Sequence, residues 1–176
     1  MGDVDHADLR DQLAAQSLRV TAPRLAVLAG VHEHPHADVD TLVRVVRERL
    51  GAVSTQAVYD VLRVLTERGL VRRIEPAGSP ARFEARVGDN HHHLVCRGCG
   101  LVVDVDCVVG AAPCLTGNDD HGFVVDEAEV IMWGRCADCQ ATTPGPPARQ
   151  RTGPRTDIGP RADIGPHTDT RPRADR

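Results

Sequence analysis

Residues 54–84 read STQAVYDVLRVLTERGLVRRIEPAGSPARFE, and this stretch decides the fold. Ser54 is an N-cap residue, with a hydroxyl suited to an orphan N–H of a first helical turn. Val58, Val61, Leu62 and Leu65 then recur at helical spacing, and Gly69 stops the helix. Two short runs follow, Leu70–Ile74 and Ala81–Glu84, on either side of Pro76-Ala77-Gly78-Ser79-Pro80. Such runs around a Pro/Gly turn predict a two-stranded hairpin. A capped helix leading into a basic hairpin is the pattern of a winged helix-turn-helix. The helix would enter the major groove and the hairpin would be the wing. On pattern alone a plain helical bundle carries comparable weight.

Upstream the chain also reads as helices. Leu9, Leu13 and Leu18 mark a first one. Pro23 is placed at the first position of a second, with Leu25, Leu28 and Val31 on one face. Asp38 or Asp40 caps a third, carrying Leu42, Val45, Val46 and Leu50, and Gly51 ends it. Downstream the pattern changes to strands at His93–Val95, Leu101–Val105 and Val130–Trp133, with a short helix and loop expected between Asp106 and His121. The expected class is therefore α+β. Residues 1–85 form a winged-helix domain, 86–140 a metal-binding domain, and 141–176 a tail. That tail repeats GPRTDI, GPRADI, GPHTDT, RPRADR from Gly153 and has almost no apolar mass, so disorder is expected from Pro144 onward.

Charge follows the same division. All 21 basic residues are Arg, and 11 of them lie in residues 1–85. Residues 86–140 carry three Arg against nine acids. The net charge of −4 does not oppose DNA binding when Arg is concentrated locally. Four aromatic residues are too few for a platform that stacks single-stranded nucleic acid. There is no long apolar run for a membrane span, and the acidic Met1-Gly2-Asp3-Val4-Asp5 start lacks a signal-peptide core. A cytoplasmic protein is expected.

In that compartment six cysteines point to metal or redox chemistry rather than to a disulfide framework. Cys96-Arg97-Gly98-Cys99 and Cys136-Ala137-Asp138-Cys139 are two CxxC knuckles. Together they supply the four thiolates of a closed, structural zinc site. A redox dithiol would need only one such motif. Beside the first knuckle stand His91-His92-His93, and on a strand His91 and His93 share a face that His92 does not. Asp104 follows on the next strand, Glu84 ends the wing, and His34 and His36 lie upstream. Imidazoles and carboxylates converging at a domain junction would suit Fe(II), Mn(II) or Zn(II).

This arrangement resembles the ferric uptake regulator family. The resemblance runs from about Leu9 to Cys139 through LRVTAPRLAVL, HPHADVDTL, STQAVYDVLRVLTERGLVRRI, RFEARVGDNHHHLVCRGCGLVVDVD and WGRCADC. VGDNHHH and DVDCVVGAAPCLT most resemble its peroxide-responsive repressors, which adjoin catalase-peroxidase genes. The resemblance implies a homodimer on a double-stranded operator, with a C-terminal α/β dimerisation domain. It implies structural zinc at Cys96, Cys99, Cys136 and Cys139, and regulatory Fe(II) or Mn(II) at His34, Glu84, His91, His93 and Asp104. Arg19 matches the family's basic residue ahead of the second helix, and Tyr59 its recognition-helix tyrosine. Arg24, Thr55 and Gln56 complete the expected DNA contacts, with Arg63, Arg72, Arg73 and Arg82 as phosphate contacts.

The chain departs from the family in three places. Asn90 and Ala128 stand where two His ligands of a third metal site would be, and His92 and His121 leave at most a remnant, so a third metal is not expected. Asp60 follows Tyr59 where Arg or Asn is usual; it either faces away from DNA or reads a cytosine amino group.

The expected function is a metal-dependent repressor that senses peroxide by oxidation of His34 or His91 and controls catalase-peroxidase and its own gene. Cys107 and Cys114, outside the knuckles, offer a thiol switch instead, or are simply small core residues. An iron- or zinc-responsive repressor of metal uptake is the alternative within the family. Outside it stand a metal-storage or thiol-redox protein, and a zinc hydrolase, for which no HExxH motif exists. No membrane and no small-molecule substrate beyond peroxide as a signal is expected.

Overall fold

The computed structural model describes residues 5–109, 114–115, 121–125 and 128–142. The expected tail and most of the expected helix after Asp106 lie outside them. Four helices open the chain: α1 (His6–Ala15), α2 (Ala22–Glu33), α3 (Val39–Leu50) and α4 (Thr55–Glu67). Three of them, α1, α3 and α4, start at a side-chain cap. The Asp5 carboxylate accepts from the Ala7 N–H at 2.8 Å, that of Asp38 from Thr41 at 2.9 Å, and the Ser54 hydroxyl from Ala57 at 3.1 Å. Ala22 takes the first position of α2, so Pro23 stands at the second. Leu18 lies beyond the end of α1 yet still reaches the core, because Ser17 turns the chain with φ 56°.

The expected hairpin forms from β2 (Arg72–Ile74) and β3 (Arg82–Glu84), paired antiparallel with Arg73 opposite Phe83. A third strand missed in the sequence, β1 (Ala37–Asp38), pairs with the other edge of β3, giving the order β1-β3-β2. Two residues are too few to show a period of two. The helices and this sheet share one core, in which Leu9, Leu13, Leu28, Leu42, Val46, Leu62 and Leu65 are completely or almost completely buried. Burying each such side chain contributes roughly 1.5–3 kcal/mol.

The second sheet contains β4 (His91–Cys96), β5 (Val102–Asp106) and β6 (Ile131–Gly134), in the order β5-β4-β6. β4 pairs antiparallel with β5, setting His93 opposite Asp104, and parallel with β6. Its core is small: Ile74, Val95 and Val102 are buried, with Ile131 and Trp133 against them. Ile74 comes from the wing, so this core recruits a residue from before position 85. A short helix, α5 (Ala137–Thr142), closes the described chain and carries Cys139. No helix of the described residues is long and apolar enough to cross a membrane.

Candidate metal centres and nucleic-acid interface

Cys96 ends β4, Cys136 follows β6, and the parallel pairing of those strands brings the two knuckles together. One sulfur atom from each of Cys96, Cys99, Cys136 and Cys139 lies within 4.8 Å of the others, and the Cys99 and Cys136 sulfurs are 3.7 Å apart. Backbone N–H groups of Gly98 and Cys136 donate to the Cys96 sulfur at 3.3 and 3.2 Å. The N–H groups of Cys136 and Cys99 do most to bring the Cys96 thiol down to about 6. The neighbouring sulfurs, Cys136 first, push Cys139 up to about 12. The Cys96 thiolate is thus favoured while contact with neighbouring sulfurs keeps Cys99 and Cys139 protonated, an opposition that a divalent cation would relieve. Gly98 fits because any Cβ there would lie 2.8 Å from the Cys139 sulfur. The donor set suits structural zinc.

A second cluster sits on the opposite face of β4 from His92. Glu84, at the end of β3 and 1% exposed, accepts from the Nε2 atoms of His36 at 3.0 Å, His91 at 3.1 Å and His93 at 2.9 Å. Burial would raise the Glu84 carboxyl, but the hydrogen bonds from His36 and His93 outweigh it and hold it at about 2. Asp104 Oδ1 lies 2.7 Å from His36 Nε2, 3.6 Å from His93 Nε2 and 3.9 Å from His91 Nε2. It is buried and, among the described residues, makes no hydrogen bond despite that proximity. His91 is flanked on both ring nitrogens, by Glu84 on Nε2 and by Asp89 on Nδ1 at 2.7 Å. Three imidazoles and two carboxylates facing inward need either a proton on every Nε2 or one cation in their midst. The orphaned Asp104 oxygen fits the cation, and the mixed nitrogen and oxygen donors fit Fe(II), Mn(II) or Zn(II).

The sequence reading is corrected at one ligand. His34 ends α2 as its C-cap, half-exposed, and is not in this cluster. His36 takes the place expected of it. The physical reason is a strained backbone: His36 has φ 60°, in the left-handed region. That conformation is fixed by its N–H donating to Phe83 O at 2.9 Å and by Arg82 Nη1 donating to its carbonyl at 3.2 Å. Arg82 is therefore a positioning residue rather than a surface phosphate contact. Asp89 and Arg86 were also missed. Arg86 ion-pairs with Asp89 and with Asp106, tying the loop that orients His91 to β5. An acidic residue two before a ligating His was the available signal.

The exposed face of α4 holds Tyr59, 48% exposed, with Gln56 Nε2 donating to Asp60 Oδ1 at 3.1 Å. Asp60 thus orients Gln56 along the helix surface. Thr55 Oγ1 accepts from Arg47 at 3.3 Å, and Arg24 Nη1 donates to Arg19 O at 2.7 Å. Arg63 pairs with Glu67 at 2.8 Å and Arg73 with Glu75, while Arg72 Nε approaches Glu84 to 3.9 Å. Cys107 and Cys114 are both half-buried, so neither is a fully buried core residue.

Residues 15–130 match the model of the ferric uptake regulator family. The chain is 62% identical over 132 residues to transcriptional regulator FurA of Mycobacterium tuberculosis, covering 75% of this chain and 90% of that protein. It is 55% identical over 152 residues to ferric uptake regulation protein 1 of Mycolicibacterium fortuitum, covering 85% and 94%. Among solved structures it resembles the Vibrio cholerae ferric uptake regulator, with TM-score 0.57 and 25% identity over 72% of this chain and 98% of that one. The fold is also that of the Campylobacter jejuni peroxide stress regulator, with TM-score 0.54 and 24% identity over 76% and 97%. From the capped α4 and its wing to the paired knuckles, this chain belongs to the ferric uptake regulator family, whose members are transcriptional regulators and not enzymes.

Proposed function

We propose that this regulator is a cytoplasmic homodimeric repressor that binds a double-stranded operator when metal is held at His36, Glu84, His91, His93 and Asp104, and releases it on exposure to peroxide. The observation that carries the reading is the convergence of those five side chains. His36 and Glu84 come from the winged-helix half, residues 1–85, and the other three come from the half spanning 86–140. A cation there bridges the halves, so its presence biases their arrangement. Zinc at the four cysteines supports the second sheet. Leu94, Leu101, Val103 and Met132 leave an apolar surface on that sheet, which a second copy of the chain would cover. Tyr59, Gln56, Thr55, Arg19 and Arg24 are the DNA-facing residues of each protomer.

His36, Glu84, His91, His93 and Asp104 would hold Fe(II), which when bound would supply the reducing chemistry that hydrogen peroxide meets there. An oxygen added to the imidazole of His36 or His91, the other peroxide oxygen leaving as water, would remove a ligand and release the metal. The resemblance to the catalase-linked branch supports control of catalase-peroxidase and of the regulator's own gene. The test is a mass map. The zinc-loaded dimer is charged with Fe(II) under argon, treated with stoichiometric peroxide, and digested. The expected result is one added oxygen on the peptide holding His36 or His91, together with loss of operator binding. Loss of two hydrogens joining Cys107 to Cys114 would move the sensor to the thiols. An unmodified protein still on its operator would leave an iron- or zinc-responsive repressor of metal uptake.

A further inference from the structure

β4 has a second face, and its donors are of a different kind. The β4–β5 register sets His91 and His93 opposite Asp106 and Asp104, so those residues share one face. His92 lies opposite Val105, and Cys107 continues that same face one position beyond β5, where its N–H donates to Asn90 O at 3.2 Å. Cys114 returns to the same place: its sulfur lies 3.4 Å from His92 Nε2. The three donor atoms of His92, Cys107 and Cys114 all lie within 4.8 Å of one another.

We propose that His92, Cys107 and Cys114 form a metal site distinct from the two described above, taking a thiophilic d10 cation, Zn(II) or Cu(I). The spacing is that of shared coordination. Metal bonds of about 2.3 Å to sulfur and about 2.0 Å to nitrogen, at a tetrahedral angle, put the two ligand atoms about 3.5 Å apart, close to the 3.4 Å between the Cys114 sulfur and His92 Nε2. The chemistry selects the cation. Two thiolates and an imidazole favour soft ions, and among the described residues no carboxylate joins this cluster. His92 turns Nε2, and not Nδ1, towards the Cys114 sulfur, so the ring nitrogen with a free lone pair can face the site. Binding is balanced by release of one proton from each thiol to solvent. The sequence pointed away from this site because Asn90 and Ala128 stand where His ligands of a third metal would be, and Cys107 and Cys114 read as redox thiols or small core residues.

The test uses the full-length, reduced protein under argon, titrated with Zn(II) alone and, separately, Cu(I) alone. Native mass spectrometry counts the metal, and iodoacetamide labelling with peptide mapping follows Cys107 and Cys114. The expected result is that wild type holds one ion more per protomer than Cys107→Ser. With free metal at about ten times its Kd, labelling of both thiols slows about tenfold. That protection persists in His93→Ala, which lacks a ligand on the other face, and weakens in His92→Ala, which keeps both thiols. Which of the two ions protects identifies the physiological class. Equal metal counts in wild type and Cys107→Ser, or thiols that neither ion protects, would overturn the assignment. The labelling comparison of wild type with His93→Ala needs no cysteine variant to fold. It also leaves the peroxide reading, tested by Fe(II) and operator release, to stand or fall separately.

Discussion

The four-cysteine cluster and the five-donor cluster are built by opposite strategies. The cysteines arrive as two CxxC pairs on two short segments, and one strand pairing, β4 with β6, assembles them. The five donors arrive singly or in alternation from the turn before β1, from β3, from β4 and from β5. A site of the first kind is a local clamp, and its binding energy is folding energy. A site of the second kind exists only when several elements are correctly placed, so it can report on their arrangement. That difference is what separates a structural metal from a regulatory one, and it can be tested from the strongest consequence downward.

Removing the clamp should have the largest effect. Structural zinc contributes on the order of 10–16 kcal/mol in small zinc domains, as much as a typical domain's whole stability. Among the described residues the second core buries Ile74, Val95 and Val102. Cys136→Ser, or extraction of zinc with a strong chelator, should therefore unfold β4–β6 while α1–α4 stay folded on their larger core. Amide exchange resolved by segment measures this. Protection of β4 that survives without zinc would erase the distinction between the two clusters.

Exchange of the upstream ligand comes next. His36→Ala should weaken Mn(II) binding by more than the roughly 10–100-fold that loss of an outer-shell partner costs, and His34→Ala should leave it unchanged. Calorimetric titration of the zinc-loaded protein checks both. The reverse ranking would restore His34, and with it the reading made from sequence.

That exchange shows what a sequence carries and what it does not. The knuckles, the caps at Asp38 and Ser54 and the wing were legible because each depends on residues a few positions apart. Glu84, His91, His93 and Asp104 were placed by strand alternation and by resemblance; the register sets His91, His93 and Asp104 on one face, and Glu84 reaches them from β3. The choice between His34 and His36 was not legible. It turns on one left-handed residue held by Phe83 and Arg82, more than forty positions away. β1 escaped for the same reason, since its existence is a property of the edge of β3. Cys107 and Cys114 were seen as a pair, but their meeting with His92 requires the hydrogen-bond register of a sheet.

Asp89→Asn probes the layer behind the ligands. It keeps the side-chain volume and removes the carboxylate that faces His91 Nδ1. A metal-affinity loss of about 10–100-fold is expected, with the fold unchanged. The metal-free protein should also show a pH window. Glu84 is held at about 2 when folded, below its ordinary 4.5, so its contribution is complete above 4.5 and is lost as pH falls towards 2. Although burial opposes the charged form of His36, its Glu84 and Asp104 partners raise it above 6.5. Its contribution is complete below 6.5 and is lost as pH rises through that raised value. Stability contributed by this cluster should peak between about pH 4.5 and 6.5 in metal-free protein. In Glu84→Gln that peak should disappear, as denaturant titrations across pH would show.

The smallest expected effect separates positioning of the cluster from stability of the helices around it. Asp38 caps α3 through Thr41 and pairs in β1 with Arg82, two residues after His36. Asp38→Ala should cost about 1 kcal/mol of stability, as loss of an N-cap does. The Thr41 N–H holds the Asp38 carboxyl below its ordinary range. The difference between wild type and variant should therefore be full at neutral pH and vanish as pH falls below that range. Mn(II) affinity should not change, because His36 is fixed by Phe83 O and Arg82 rather than by the cap. A variant that lost affinity in proportion to stability would show that α3, and not the β1–β3 pairing, sets the ligand geometry. The five-donor cluster would then depend on the helical core as directly as the knuckles depend on their strands.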